Sequence, residues 1–221
     1  MRIIDLCSKY PKLYHIAEKR NWDSIRKHGL LSTTALLDLF EYKGRDRFEI
    51  ESQLRLRECC ITHPTYGVAF IRDQDPMRDK PGDGISLEKC LVGVTPQQWF
   101  ELLNRRTFFW TNLTGLGYML GAKLYRNRSH YVITVDSKEL LRRHADKVSL
   151  SGMNSGSLYG QKKRSADTFK SISEHKMPWV NELAVDYSVP DITELMTSVK
   201  ECIYQWNNGQ RSCKTLKNVW P

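Results

Sequence analysis

No run of this sequence approaches the roughly 18 apolar residues needed to span a membrane. The opening stretch has no apolar leader core, because Asp5, Lys9 and Lys12 interrupt it. Six cysteines stand at 7, 59, 60, 90, 202 and 213, and this irregular spacing matches neither a disulfide framework nor a zinc site. Reduced thiols in a cytoplasmic protein, with no membrane partner, are therefore expected. The histidines at 15, 28, 63, 130, 144 and 175 lack metal-ligand spacing, so a site without metal is expected. Phosphate-binding P-loops, dinucleotide glycine fingerprints, Gly-x-Ser-x-Gly elbows and His-Glu-x-x-His pairs are all absent, as are repeats and low-complexity tracts.

What is present suits one globular domain spanning residues 1–221. Hydrophobic residues make up 40% of it, enough for a real core, and charged residues 27%. Basic residues exceed acidic ones by 34 to 25, for a net charge of +9. Such an excess favours polyanionic partners or, more blandly, a solvated basic surface. The cations are scattered in short clusters, so a concave basic face fits better than a disordered nucleic-acid arm.

Leu13 to Ala17 reads as a strand, followed by a helix capped at Asn21 or Asp23 and ended by Gly29. Helices are expected over 33–40, 48–57, 113–120 and 138–143, and from Thr95-Pro96 onward, where proline suits a first turn. Strands are expected at 67–72, 107–110, 130–135 and 181–187, the last strand of the chain, with a terminal helix running from Pro190-Asp191-Ile192 to about Tyr204. Residues 149–168 read as a long loop, and loops of that length inside a domain usually serve function. Short strands interspersed with helices, without a βαβ rhythm, give an α+β fold class.

Three blocks carry candidate chemistry: Leu13-Tyr14-His15 with the later His28-Gly29-Leu30-Leu31-Ser32, the aromatic strand Phe108-Phe109-Trp110, and Asn181-Glu182-Leu183-Ala184-Val185. Together they resemble NAD-dependent ADP-ribosyltransferases, above all the DarT-type DNA-modifying toxins. RNA 2′-phosphotransferases and poly-ADP-ribose polymerases are more distant likenesses. The chain also looks like a group of uncharacterised bacterial proteins sharing the Phe108-Phe109-Trp110 and Ile71-Arg72-Asp73-Gln74 blocks. The resemblance runs over residues 13–192 and implies a split antiparallel or mixed sheet with flanking helices. It also implies NAD as co-substrate and a DNA base as acceptor, with DNA favoured over RNA. A role as toxin or defence factor would follow, with an antitoxin or reversing hydrolase as a possible partner.

The resemblance assigns the catalytic carboxylate to Glu182. Cleavage of the nicotinamide–ribose bond passes through an oxocarbenium-like state, which a carboxylate beside the ribose stabilises. Alternation puts Glu182 off the apolar face of its strand, compatible with a cleft or with a surface ion pair. His15 and Ser32 are implied as ribose contacts, with core burial and helix capping as their alternatives. Phe109 or Trp110 would stack on nicotinamide, where related enzymes often use a tyrosine, and core burial is the alternative for each ring. Arg72 would clamp a pyrophosphate or the acceptor, or else pair with Asp73 or Asp75. Within the loop before Glu182, Asn154, Tyr159 and Arg164 would contact the acceptor.

Rival readings are another reaction on the same fold (protein ADP-ribosylation, NAD hydrolysis or removal of an RNA 2′-phosphate) and a non-catalytic basic nucleic-acid-binding module. The last predicts salt-sensitive binding with no requirement for Glu182.

Overall fold

A computed structural model describes residues 1–220. In chain order the strands are β1 (Lys12–Ala17), β2 (Leu30–Leu31), β3 (Cys59–His63), β4 (Gly67–Ile71), β5 (Arg106–Trp110), β6 (His130–Asp136), β7 (Val148–Ser151), β8 (Lys170–Ser171), β9 (Glu182–Asp186), β10 (Ser188–Val189), β11 (Met196–Asn207) and β12 (Gln210–Trp220). The helices are α1 (Ile3–Lys9), α2 (Trp22–His28), α3 (Thr33–Leu39), α4 (Gly44–Glu51), α5 (Leu87–Cys90), α6 (Pro96–Asn104), α7 (Leu113–Leu120), α8 (Ser137–His144) and α9 (Ile192–Leu195). The α+β class holds: an eight-stranded antiparallel sheet, ordered β12-β11-β6-β1-β5-β9-β7-β8, carries helices on its faces.

The sheet consists of two halves joined at one point. All six residues of β1 pair with β6, and all five of β5 pair with β9, but β1 meets β5 only at Tyr14 opposite Trp110. Beyond that pair the two strands diverge, and the backbone groups along their facing edges are left to other partners. The gap between them is the most consequential feature of the fold.

Alternation along the strands sends side chains to two cores. Leu13, Phe109, Ile133, Val135, Leu183 and Val185 point to one face, where they bury against Leu6 of α1, Ile25 of α2 and Leu140 and Leu141 of α8. On the other face Trp110 and Val132 pack under Leu116 and Leu120 of α7. Further along that face Ala184 meets Trp99, Phe100 and Leu103 of α6. The Thr95-Pro96-Gln97-Gln98 start of α6 forms a reciprocal capping box between the Thr95 hydroxyl and the Gln98 side chain, so the helix begins where Pro96 predicts. The β3–β4 hairpin forms a separate small core with Leu37 and Phe40.

Three expectations are corrected. The segment expected to be helical over 48–57 is helical at Gly44–Glu51, four residues earlier at its start, and breaks at Ser52. The loop expected from 149 begins as β7, which joins the sheet beside β9. The terminal helix expected to reach Tyr204 is a single turn at Ile192–Leu195, and the chain then forms the long β11–β12 hairpin. Its turn places Asn208 at φ 47° and Gly209 at φ 76°, the left-handed pair a two-residue hairpin loop requires. Among the described residues no helix is long and apolar enough to cross a membrane.

Asn21 ties α2 to the hairpin by an unexpected route. Its amide does not cap the helix; it donates to the Phe70 carbonyl at 2.7 Å and accepts from the Phe70 N–H at 2.8 Å, acting as a substitute strand partner. We expect Asn21→Ala, which leaves both groups unsatisfied, to cost about 2 kcal/mol in denaturant unfolding.

Candidate functional site

Where β1 and β5 diverge, a cleft of about 390 Å³ opens. Its walls bring together His15, Ser32, Arg72, Asn154 and Glu182, five residues drawn from distant parts of the chain. Phe108, Arg106 and Tyr118 complete much of the remaining wall.

Glu182 opens β9 opposite Trp110 on one side and Ser151 on the other, and it is only 4% exposed. One carboxylate oxygen accepts the Ser155 N–H at 3.1 Å; no salt bridge satisfies the group among the described residues. Burial therefore dominates and pushes its pKa up to about 7, against the smaller opposing pull of the Ser155 hydrogen bond and the Arg164 charge. A buried carboxyl with one backbone donor and a cleft in front of it can take a further donor from a ligand.

His15 bridges the split. Its Nδ1 lies 2.9 Å from the Phe108 carbonyl oxygen, which the divergence of β5 from β1 leaves free. A carbonyl only accepts, so Nδ1 carries the hydrogen. Burial, with the nearby Arg72 charge, lowers the imidazole pKa to about 4, so the ring is neutral at physiological pH. The remaining Nε2 is then an acceptor, suited to a ligand hydroxyl.

Ser32 is the N-cap of α3: its hydroxyl oxygen accepts the Ala35 N–H at 3.1 Å. The capping bond uses a lone pair and leaves the hydroxyl hydrogen available, so capping and ligand contact are compatible. Arg72 forms no ion pair with Asp73 or Asp75. Its guanidinium sits 4.9 Å from the centre of the Tyr125 ring and 3.3 Å from His130 Nδ1. Asp73 is bound instead by the Tyr125 hydroxyl at 3.0 Å. Burial lowers the Arg72 pKa, and a buried cation in a cleft without a carboxylate partner is a ready anion subsite.

The aromatic strand divides by alternation. Phe109 belongs to the cleft wall, but its side chain is fully buried in the main core. Trp110 is 9% exposed and packs under α7, where a Cβ on Gly115 would come within 2.6 Å of its ring. Phe108 is half-buried on the same face as Glu182 and is the ring of this strand most open to a ligand, a residue that sequence reasoning passed over. Arg106 was likewise missed. Its Nε is buried without a hydrogen-bond partner, and its guanidinium lies 4.9 Å from the Phe169 ring. The Arg105-Arg106 doublet opening an aromatic strand was the available signal.

Of the three expected acceptor contacts, only Asn154 lines the cleft; its Oδ1 accepts the Gly156 N–H at 3.2 Å and shapes the turn there. Tyr159 stands 91% exposed, away from the cleft wall. Arg164 is 1% exposed, with its guanidinium donating to the carbonyls of Ser155, Ser157 and Lys162. It is therefore corrected from a substrate contact to the pin that folds the 152–164 loop and thereby holds the Ser155 N–H against Glu182. Lysine carries the charge but not the fork that reaches three carbonyls, so Arg164→Lys should destabilise the protein by about 3 kcal/mol in denaturant unfolding. No group of three or more His, Cys, Asp or Glu side chains among the described residues is placed to hold a metal ion.

Fold and cleft together describe an α+β protein with a partly buried cleft in a split sheet. Residues 11–196 match a family of unknown function, DUF7002, and the chain belongs to that family. No curated protein matches it.

Proposed function

We propose that this protein transfers ADP-ribose from NAD to a nucleic-acid acceptor, with release of nicotinamide. The observation that carries the reading is the pairing of a buried carboxyl, Glu182, with a neutral His15 across a split sheet. The expected resemblance assigned these same two residues to the ribose.

The cleft suits the chemical parts of a dinucleotide. Arg72 offers donors to phosphate oxygens, and Arg106 adds positive charge to the same wall. Phe108 offers a flat apolar face. His15 Nε2 would accept a ribose hydroxyl, and the ionised Glu182 would accept another and stabilise positive charge on the anomeric carbon as the bond to nicotinamide lengthens. The Ser155 N–H holds that carboxylate in place.

The two arginines also support a second reading, removal of a 2′-phosphate from RNA, which would rest on cations and tolerate loss of Glu182. Mass spectrometry of DNA, RNA and protein incubated with NAD separates them. An ADP-ribose adduct made by the native protein and missing with Glu182→Gln is the expected result. Adducts undiminished in the variant, or no NAD binding by the folded native protein, would overturn the transferase reading.

A further inference from the structure

Two stretches of the sequence contain no acidic residue at all: 102–135, which includes β5 and α7, and 202–221, which includes most of the β11–β12 hairpin. They are far apart in the chain, yet α7 and β12 pack together closely. A Cβ on Gly117 would lie 2.7 Å from the Arg211 carbonyl oxygen, and one on Gly121 would lie 2.7 Å from the Tyr204 ring. Glycine at both positions lets the helix seat directly on the hairpin.

This contact builds a surface at the rim of the cleft. Trp206 and Arg211 face each other across the hairpin, so their side chains share one face. The Arg211 guanidinium lies 4.9 Å from the centre of the Tyr118 ring, and Tyr118 in turn lines the cleft. Both rings are open to solvent, Trp206 at 59% and Tyr118 at 57%. Lys123 and Arg126 are exposed beside Ala122 and Tyr125, which also line the cleft. Among the described residues none of Arg211, Lys123 and Arg126 has a carboxylate partner, whereas Arg128 is held by Glu18 and Glu58.

We propose that this surface docks a single-stranded nucleic acid and leads it into the cleft. Unpaired cations meet phosphates, and the two exposed rings offer stacking platforms to unpaired bases. A guanidinium without a carboxylate partner neighbours both rings, which favours alternating phosphates and bases over a lipid surface. Tyr118, Lys123 and Arg126 lie within the 11–196 family match, and Trp206 and Arg211 lie beyond it. The dock deepens the transferase reading by saying how an acceptor would reach Glu182, but it makes its own prediction about binding.

Fluorescence anisotropy of a labelled single-stranded oligonucleotide with the full chain, without NAD, tests it. Trp206→Ala and Tyr118→Ala should each weaken binding about tenfold. Arg211→Ala should flatten the dependence of log affinity on log salt by about 0.7. Lys214→Ala, on the opposite face of the hairpin, should bind as the native chain does. Native-like binding by all three dock variants would overturn the proposal. So would stronger binding to anionic phospholipid vesicles or to blunt duplex than to the single strand. Oligonucleotide binding that is lost in the dock variants, in a protein making no NAD-dependent adduct, would uphold the dock and sink the transferase.

Discussion

Glu182→Gln is expected to lose the proposed ADP-ribose transfer by at least about 100-fold while making the protein more stable above neutral pH. The two effects have one cause. Glu182 is buried with a single backbone donor, and burial raises its pKa from the usual 4.5 to about 7. Between those two values the folded protein binds a proton that the unfolded chain has released. Stability therefore falls as pH rises through that window. The full difference is about 3 kcal/mol once both states are ionised. Glutamine keeps an oxygen for the Ser155 N–H and removes the ionisation. Guanidinium unfolding should show native and variant alike near pH 5, and the variant ahead by up to about 3 kcal/mol at pH 8. Equal stability at both pH values would show that the carboxyl is not desolvated in the folded state.

The same shift fixes the expected pH profile of activity. If the ionised carboxylate stabilises the developing positive charge, kcat/KM rises through about pH 7 and levels off above it. His15, with its pKa lowered to about 4, stays neutral across that range and adds no inflection. A rate that falls with rising pH through 7 would assign Glu182 the role of an acid instead.

How much of this was legible in the sequence depends on the range of the interactions involved. The strand at 13–17, the Pro96 helix and the aromatic strand were readable because alternation and capping are local. Glu182 lay off its strand's apolar face by simple parity, but its burial depends on the 152–164 loop folding over it, and that loop is held by Arg164 through three carbonyls. No local pattern shows a guanidinium turned inward, which is why Arg164 read as a substrate contact. Arg72 is similar: its neighbour Asp73 is bound by Tyr125, far along the chain, so the adjacent-residue ion pair never forms. The β11–β12 hairpin is different, because its signal was present. Asn208-Gly209 between Ile203-Tyr204 and the β12 residues is a strong turn signal, and it outweighs the helical spacing expected up to Tyr204. The split in the sheet was visible to no single segment, because it is the absence of pairing between two strands that each pair fully on their other side.

Gly29→Ala is expected to be the most destabilising conservative substitution in the chain, by 3 kcal/mol or about that. Gly29 ends α2 at φ 84°, where an L side chain costs roughly 1–2 kcal/mol. A second effect adds to this. A Cβ there would come within 2.5 Å of the Pro190 Cα and 2.7 Å of its carbonyl oxygen, and these are backbone atoms with no rotamer to change. Nor can that backbone withdraw easily. Ser188 and Val189 pair with Leu31 and Leu30, and Val189 is fully buried in the main core. Separating the two strands would also shift Ser32 and Leu31, which line the cleft, so ligand affinity should fall together with stability. Gly67 supplies the comparison, with nearly the same φ of 83° and nothing within 4 Å of its would-be Cβ. Gly67→Ala therefore reports the backbone strain alone, about 1 kcal/mol, and should leave the cleft undisturbed. Denaturation midpoints of the two variants give the steric part by difference. Equal midpoints would mean that the Pro190 backbone yields freely, and that the β2–β10 pair is not what fixes this wall of the cleft.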